Sequence, residues 1–228
     1  MVILQKIIEP MGFFLYLTII LYMCIYLYRN HNGNKPFIVF GAMAITLLLG
    51  DGILVISRLY GLLTTGIENN LTFLGLGRLA QAFIITVFYA LILDLYKERF
   101  CISKKPPVEK LLLALLIFRG VITLFPQNQF FQEYQNIAFT IIRAVPLMIF
   151  SALVGIIILL HSLKNNDKRF LVLSFLLILS SIFVEPTMFF GDSYIGNILI
   201  VGLRGMLFIG IVFIGFCQLR KINELSRF

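Results

Sequence analysis

Tryptophan is absent from this 228-residue chain, and charged residues, histidine and cysteine are scarce. Only 13% of the residues are charged, whereas a soluble globular domain carries about 25%. The two histidines, His31 and His161, lie far apart in the sequence. Metal-dependent hydrolysis needs grouped His, Asp or Cys ligands. We therefore expect no metal site, and a single soluble core is excluded because the apolar content is too high for one.

The motifs of nucleotide and cofactor chemistry are also missing. The chain contains no Walker motif and no kinase signature. The last apolar stretch, IGNILIVGLRGMLFIGIVFIGF, has no lysine that could form a retinal Schiff base. No serine and histidine lie at one depth as an intramembrane hydrolase would require. We expect no cofactor and no enzymatic activity.

Hydrophobic residues make up 60% of the chain, and they fall into long runs. A membrane-spanning helix needs roughly 20 mostly apolar residues. The chain has seven such runs, joined by short polar linkers. The predicted spans are 10–28, 37–59, 73–96, 108–125, 137–161, 170–190 and 195–217. The sequence therefore predicts an all-α, multi-pass bundle of seven transmembrane helices as one integral membrane domain covering 1–228.

Lysine and arginine outside these spans alternate between linkers. Basic residues occur near 29–36, 97–110, 162–169 and in the tail. The intervening linkers have no Lys or Arg, and their charged residues are Glu68, Glu133 and Asp192. Cytoplasmic linkers are enriched in Lys and Arg. The N-terminus is thus predicted outside and the C-terminus in the cytoplasm. The net charge of +8 then reflects this bias and anionic lipid, and no nucleic-acid binding is expected.

The three cysteines fit the same orientation. Cys24, Cys101 and Cys217 all fall at or near the predicted cytoplasmic side. A disulfide framework is therefore not expected.

The two halves of the chain resemble each other. The linkers RNHNGNKPF and LKNNDKRF each open a span that carries an acid, Asp51 in one and Glu185 in the other. GLGR at 75–78 and VGLRG at 201–205 follow in the next spans. This order predicts a parallel repeat of three spans, one linking span and three spans.

Charged residues inside the predicted spans fall in the outer half of the membrane, except Asp94 near the inner end of the third span, which we expect to reach the interface with Lys97. At 1.5 Å per residue, Arg78, Arg119, Arg143 and Glu185 lie roughly 8–10 Å below the outer helix ends. Asp51 and Arg204 lie roughly 12–14 Å below them. A lone charge at the bilayer centre costs about 2.5–3.5 kcal/mol. We therefore expect these side chains to gather around a shared polar pocket that faces outward.

Three interpretations of these charges are open from the residues alone. Two acids against four arginines leave a surplus of positive charge. A guanidinium group binds carboxylate or phosphate through two hydrogen bonds, so the first interpretation is an anion-binding pocket. Arg119 and Arg143 lie close enough to helix ends to extend to the headgroups, and acid–arginine pairs can simply fasten helices. The third interpretation is a proton or ion relay through Asp51 and Glu185.

Several sequence segments together resemble those of a family of uncharacterised small bacterial seven-helix membrane proteins. They are GDGILVISR (50–58), GLGRLAQAFIITVFYALIL (75–93), LFPQNQ (124–129), IIRAVP (141–146) and IGNILIVGLR (195–204). The resemblance implies an integral membrane protein of the bacterial cytoplasmic membrane, and it implies no substrate. Family members tend to carry an aromatic residue or histidine after the GD pair, and Pro–Lys near 203–204, where this chain has Arg204 as the cation.

The leading functional hypothesis is recognition, with transport as an extension, of a small anion or lipid headgroup. Arg78, Arg119, Arg143 and Arg204 would supply positive charge, and Asp51 and Glu185 would set selectivity. The rival hypothesis is a sensor or accessory subunit that docks another membrane protein, with the charges serving helix packing. An intramembrane enzyme is the third and least supported class.

Overall fold

A computed structural model describes residues 2–64, 66–100, 107–133, 135–183 and 194–225. These ranges are all-α and contain no β-strand. The helices are α1 (Val2–Asn30), α2 (Lys35–Leu63), α3 (Leu71–Phe100), α4 (Pro107–Thr123), α5 (Ile137–Lys164), α6 (Lys168–Ile182) and α7 (Tyr194–Leu225). Two short 3₁₀ turns, Glu68–Asn70 and Pro126–Asn128, precede α3 and follow α4. Each predicted span overlaps one of these helices.

The seven helices close into a ring in chain order. Each helix packs on the next, and α7 packs back on α1. Two further contacts, α2 with α7 and α3 with α5, cross the ring. Short connections make helices that follow each other in the chain antiparallel. The helix ends therefore form two faces of the ring. Helices α2 and α4 end, and helices α3, α5 and α7 begin, at the same face, which we call the cavity end.

Five of the helical segments are long and apolar enough to cross a membrane. They are Glu9–Asn30, Lys35–Leu63, Glu68–Phe100, Ile137–Lys164 and Val201–Asn223. Helix α4 has 17 residues and the described part of α6 has 15, which is shorter than the roughly 20 residues that a spanning helix needs.

The outer surface of the ring is apolar. Phe14, Ile117 and Met206 are among many large hydrophobic side chains that are more than 60% exposed. A soluble monomer rarely exposes contiguous apolar patches beyond a few hundred Å². This surface, together with the five long apolar segments, marks the chain as a membrane protein.

Aromatic side chains fill the middle of the ring. Phe88 and Phe208 lie with ring centroids 4.9 Å apart, and Tyr89 lies 6.2 Å from both Phe150 and Phe208. All four are buried. We call these four residues the aromatic layer. On α3 and α7 the layer begins one helical turn beyond residues that line the cavity described below.

Polar residues start two of the helices. Oδ1 of Asn136 accepts hydrogen bonds from the backbone N–H groups of Ala138 and Phe139, at 3.0 and 3.4 Å. Asp167 caps α6 in the same way, through Arg169 and Phe170. Such caps satisfy backbone donors that have no partner within the helix. The Asn136 cap places the first turns of α5 at the cavity end.

Candidate functional site

A small polar cavity of about 50 Å³ lies at the cavity end, between α3, α4, α5, α7 and the α4–α5 connection. We call it the arginine cavity. Its lining residues are Arg78, Gln81, Ala82, Ile85, Arg119, Phe130, Gln135, Arg143 and Arg204. One water molecule needs about 10–15 Å³ of such space. The cavity therefore has room for a few water molecules, or for one small polyatomic group.

Arg204 connects this cavity to Asp51 on α2. Nη2 of Arg204 lies 3.8 Å from Oδ1 of Asp51, and both side chains are buried. The carboxylate also accepts a 2.5 Å hydrogen bond from the Tyr16 hydroxyl at Oδ2 and one of 2.5 Å from Nε2 of Gln81 at Oδ1. Asp51 thereby joins α1, α2, α3 and α7 at one point, although it does not line the cavity itself.

Arg78 holds the α4–α5 connection against α3. Its Nη1 donates to the backbone carbonyl oxygens of Phe130 at 3.2 Å and Gln132 at 2.8 Å. One turn earlier, a Cβ added at Gly75 would lie 2.9 Å from the Phe130 carbonyl oxygen and from Cα of Phe131. Only glycine permits this approach, so the connection rests directly on the α3 backbone.

Arg143 on α5 holds the same connection from the other side. Its Nη1 donates to Oδ1 of Asn128 at 3.0 Å, and its Nη2 donates to Oε1 of Gln135 at 3.4 Å. Its guanidinium carbon lies 4.6 Å from the centroid of the Phe130 ring, which is a cation–π distance. Nδ2 of Asn128 donates in turn to the Ile122 and Phe125 carbonyl oxygens, at 2.7 and 2.8 Å.

Arg119 reaches from α4 to α3. Its Nη1 donates to the carbonyl oxygen of Ala82 at 2.7 Å and to the Thr86 hydroxyl. The side chain is 1% exposed, as is that of Arg143. Extension of Arg119 or Arg143 to lipid headgroups is therefore wrong for this structure, because both guanidinium groups point into the ring.

The electrostatics of the cavity follow from its lining. Four arginine side chains line it, and none of the lining residues named above is acidic. Guanidinium groups are permanent, planar donors that match carboxylate and other oxyanions. Their potential is less screened in a buried site than at an exposed surface. The cavity can therefore accept an anion and hold it through N–H donors.

The structure brings five of the six predicted site residues together. Arg78, Arg119, Arg143 and Arg204 line one cavity, and Asp51 adjoins it through Arg204 and Gln81. The sixth, Glu185, lies outside the described residues, so its predicted place stays a prediction. Whether these side chains bind a ligand also stays a prediction.

Sequence reasoning missed three side chains that shape the site. Gln81 lies one helical turn after Arg78, and that spacing alone could have placed it on the same face. Tyr16 lies in the first apolar run, where nothing in the sequence indicates that its hydroxyl reaches Asp51. Phe130 sits in a connection, where no periodicity indicates which way a side chain points.

Other charges of the chain pair away from the cavity. Arg58 near the end of α2 pairs with Glu9 of α1. At the opposite end, Lys97 contacts Asp94 at 3.2 Å and the buried Glu109 at 3.0 Å. Asp94 therefore pairs with Lys97 at the end of the ring opposite the arginine cavity.

Within the ranges that the structure describes, no three His, Cys, Asp or Glu residues group as metal ligands would. The chain matches no protein-family model, no curated protein and no solved structure.

Proposed function

We propose that this protein is a multi-pass membrane protein that binds a small anion, free or as a lipid headgroup, in the arginine cavity. The single observation that carries the proposal is the convergence of Arg78, Arg119, Arg143 and Arg204 on one space of about 50 Å³. The lining residues of this space that the structure describes include no acidic side chain. An anion would lower the cost of this buried positive charge.

The residues around the arginine cavity support binding of an anion and not its conduction through the ring. The aromatic layer lies one helical turn beyond the cavity on α3 and α7, and its members are buried. An ion cannot cross such a packed apolar layer without a rearrangement of the helices. Recognition of the anion is the primary proposal, and transport would need a second conformation in which this layer opens.

The topology that we propose is seven spans with the N-terminus outside, the C-terminus in the cytoplasm and the cavity facing outward. The distribution of Lys and Arg among the linkers supports this orientation. The bacterial cytoplasmic membrane as location, and a parallel repeat of the first three and last three spans, belong to the same proposal. The orientation is tested by labelling intact cells that carry a cysteine introduced at position 68 or at position 164. Label at position 164 alone would contradict the orientation.

Calorimetric titration of the purified protein tests the binding proposal. Sodium formate and sodium phosphate are titrated in a gluconate buffer into the wild-type protein, Arg204→Gln and Arg99→Gln. Arg99 pairs with Asp167 at the opposite end and is half exposed, so it serves as the matched control. We expect saturable binding of at least one anion, weakened in Arg204→Gln and unchanged in Arg99→Gln. Absence of binding to the folded wild-type protein overturns the proposal.

A second candidate function is an accessory or sensor subunit whose charges only fasten helices. The observation that favours it is that Arg78 and Arg143 already donate to protein oxygen atoms of the α4–α5 connection. In that case the arginine variants lower stability and change no ligand affinity.

Anion uptake into sealed vesicles distinguishes a carrier from a receptor, if the protein binds an anion.

A further inference from the structure

Phe130 occupies an unusual position for a residue in a connection between helices. It is 5% exposed and lines the arginine cavity. The other apolar lining residues, Ala82 and Ile85, belong to α3. Phe130 is therefore the largest apolar residue of the lining, and it comes from the α4–α5 connection.

Phe130 is held in place by one contact to its ring and two contacts to its backbone. Arg143 lies over its face at 4.6 Å, Arg78 donates to its carbonyl oxygen at 3.2 Å, and the backbone at 130–131 rests on Gly75. A buried side chain whose backbone and face are both held has little freedom to move aside. The ring thus acts as a wall of fixed position.

The volume beside this wall is small. A space of about 50 Å³ has room for about three to five atoms of the size of a water oxygen, since one water molecule needs about 10–15 Å³ of such space. A formate or nitrate ion, with three or four heavy atoms, is of that size. A phosphodiester, which carries a substituent on each side of the phosphorus, is larger, and an aromatic carboxylate is larger still.

We propose that Phe130 sets the size limit of the arginine cavity, so that the ligand is a small free oxyanion such as formate or nitrate and not a lipid headgroup. This inference rests on the proposed function, since it assigns the ligand class of the same cavity. Removing the ring would enlarge the cavity beside Arg143 while leaving all four guanidinium groups. Selectivity among anions would change more than the affinity for small ones.

The test compares four anions on three proteins by calorimetric titration. The anions are formate, nitrate, dimethyl phosphate as the mimic of a lipid phosphodiester, and benzoate. The proteins are the wild type, Phe130→Ala and Phe131→Ala. Phe131 is the adjacent residue, is 47% exposed and does not line the cavity, so it is the matched control.

We expect the wild-type protein and Phe131→Ala to bind formate and nitrate more tightly than benzoate. Phe130→Ala should reduce the ratio of the benzoate Kd to the formate Kd by about 10-fold or more, a typical discrimination for a bulky group in a pocket. Loss of the Arg143 contact affects all four anions, so it cancels in this ratio. Should Phe130→Ala fail to fold, Phe130→Leu shortens the wall while keeping the position apolar, and the same ratio is measured.

The outcomes separate this inference from the proposed function. Wild-type protein that binds none of the four anions overturns both. Wild-type protein that binds dimethyl phosphate or benzoate as tightly as formate overturns the size limit and leaves anion binding standing. An unchanged ratio in both Phe130 variants does the same.

Discussion

The hydroxyl group of Tyr16 donates a 2.5 Å hydrogen bond to Oδ2 of Asp51, across the contact between α1 and α2. The same carboxylate accepts from Gln81 on α3 and lies 3.8 Å from the Arg204 guanidinium on α7. One buried acid thus ties four helices together beside the arginine cavity. A buried carboxylate is tolerated because donors surround it, and the variants below test how much each donor and the charge contribute.

Replacing Tyr16 with Phe removes one donor to Asp51 and keeps the ring. We expect the free energy of unfolding to fall by about 0.6–2 kcal/mol, the range for interhelical hydrogen bonds in membrane proteins and model peptides. Unfolding in SDS followed by circular dichroism measures it. Tyr22→Phe is the control, since Tyr22 is 61% exposed. Equal stability of the two variants would show that the Tyr16 hydroxyl contributes nothing.

Replacing Asp51 with Asn keeps the shape of the side chain and removes its negative charge. The protein should lose stability, because Tyr16 and Arg204 then face a neutral amide. Affinity for formate should rise, since the field of Arg204 is no longer offset by a carboxylate at 3.8 Å. Calorimetric titration measures the affinity. A fall in affinity in a variant that remains folded would contradict the view that Asp51 competes with the anion.

Replacing Gly75 with Ala places a methyl group 2.9 Å from the Phe130 carbonyl oxygen and from Cα of Phe131. These are backbone atoms, so the α4–α5 connection must shift, at about 1–3 kcal/mol. Gly202→Ala is the matched control, because its Cβ meets no atom within 4 Å. We expect Gly75→Ala to lower the melting temperature and Gly202→Ala to preserve or raise it. Equal melting temperatures would contradict the close approach.

Replacing Lys97 with Met leaves Glu109 buried without its cationic partner. Glu109 is 3% exposed, and its Oε1 lies 3.0 Å from Nζ of Lys97. Breaking a buried pair from one side costs about 3 kcal/mol or more, whereas removing both charges costs much less. We therefore expect Lys97→Met to be less stable than Lys97→Met combined with Glu109→Leu. Chemical unfolding of the two variants and the wild type checks this order.

An exposed pair provides the comparison for Lys97. Lys35 and Glu98 lie 3.8 Å apart, with side chains that are 73% and 41% exposed. Surface pairs contribute at most about 1 kcal/mol. Lys35→Met should therefore unfold close to the wild type. A loss as large as that of Lys97→Met would contradict the role assigned to burial.

Depth along a helix could be predicted well, because each residue advances the helix by about 1.5 Å. Arg78, Arg119, Arg143 and Arg204 were placed at one level from their distance to the helix ends, and they line one cavity. The partners of each arginine could not be predicted. Arg78 and Arg143 donate to the α4–α5 connection, and the direction of side chains in that connection follows no sequence period.

The sequence alone determined that the chain is helical, that its surface belongs in lipid, and how far along each helix its charges lie. These properties depend on local composition and on the fixed rise of a helix, so they can be read residue by residue. Only the tertiary structure decided that Tyr16 faces Asp51 and that Phe130 lines the arginine cavity. Such contacts depend on how each helix is rotated about its axis and which neighbour it meets. Rotation and neighbours follow from the packing of the whole ring and not from any one segment.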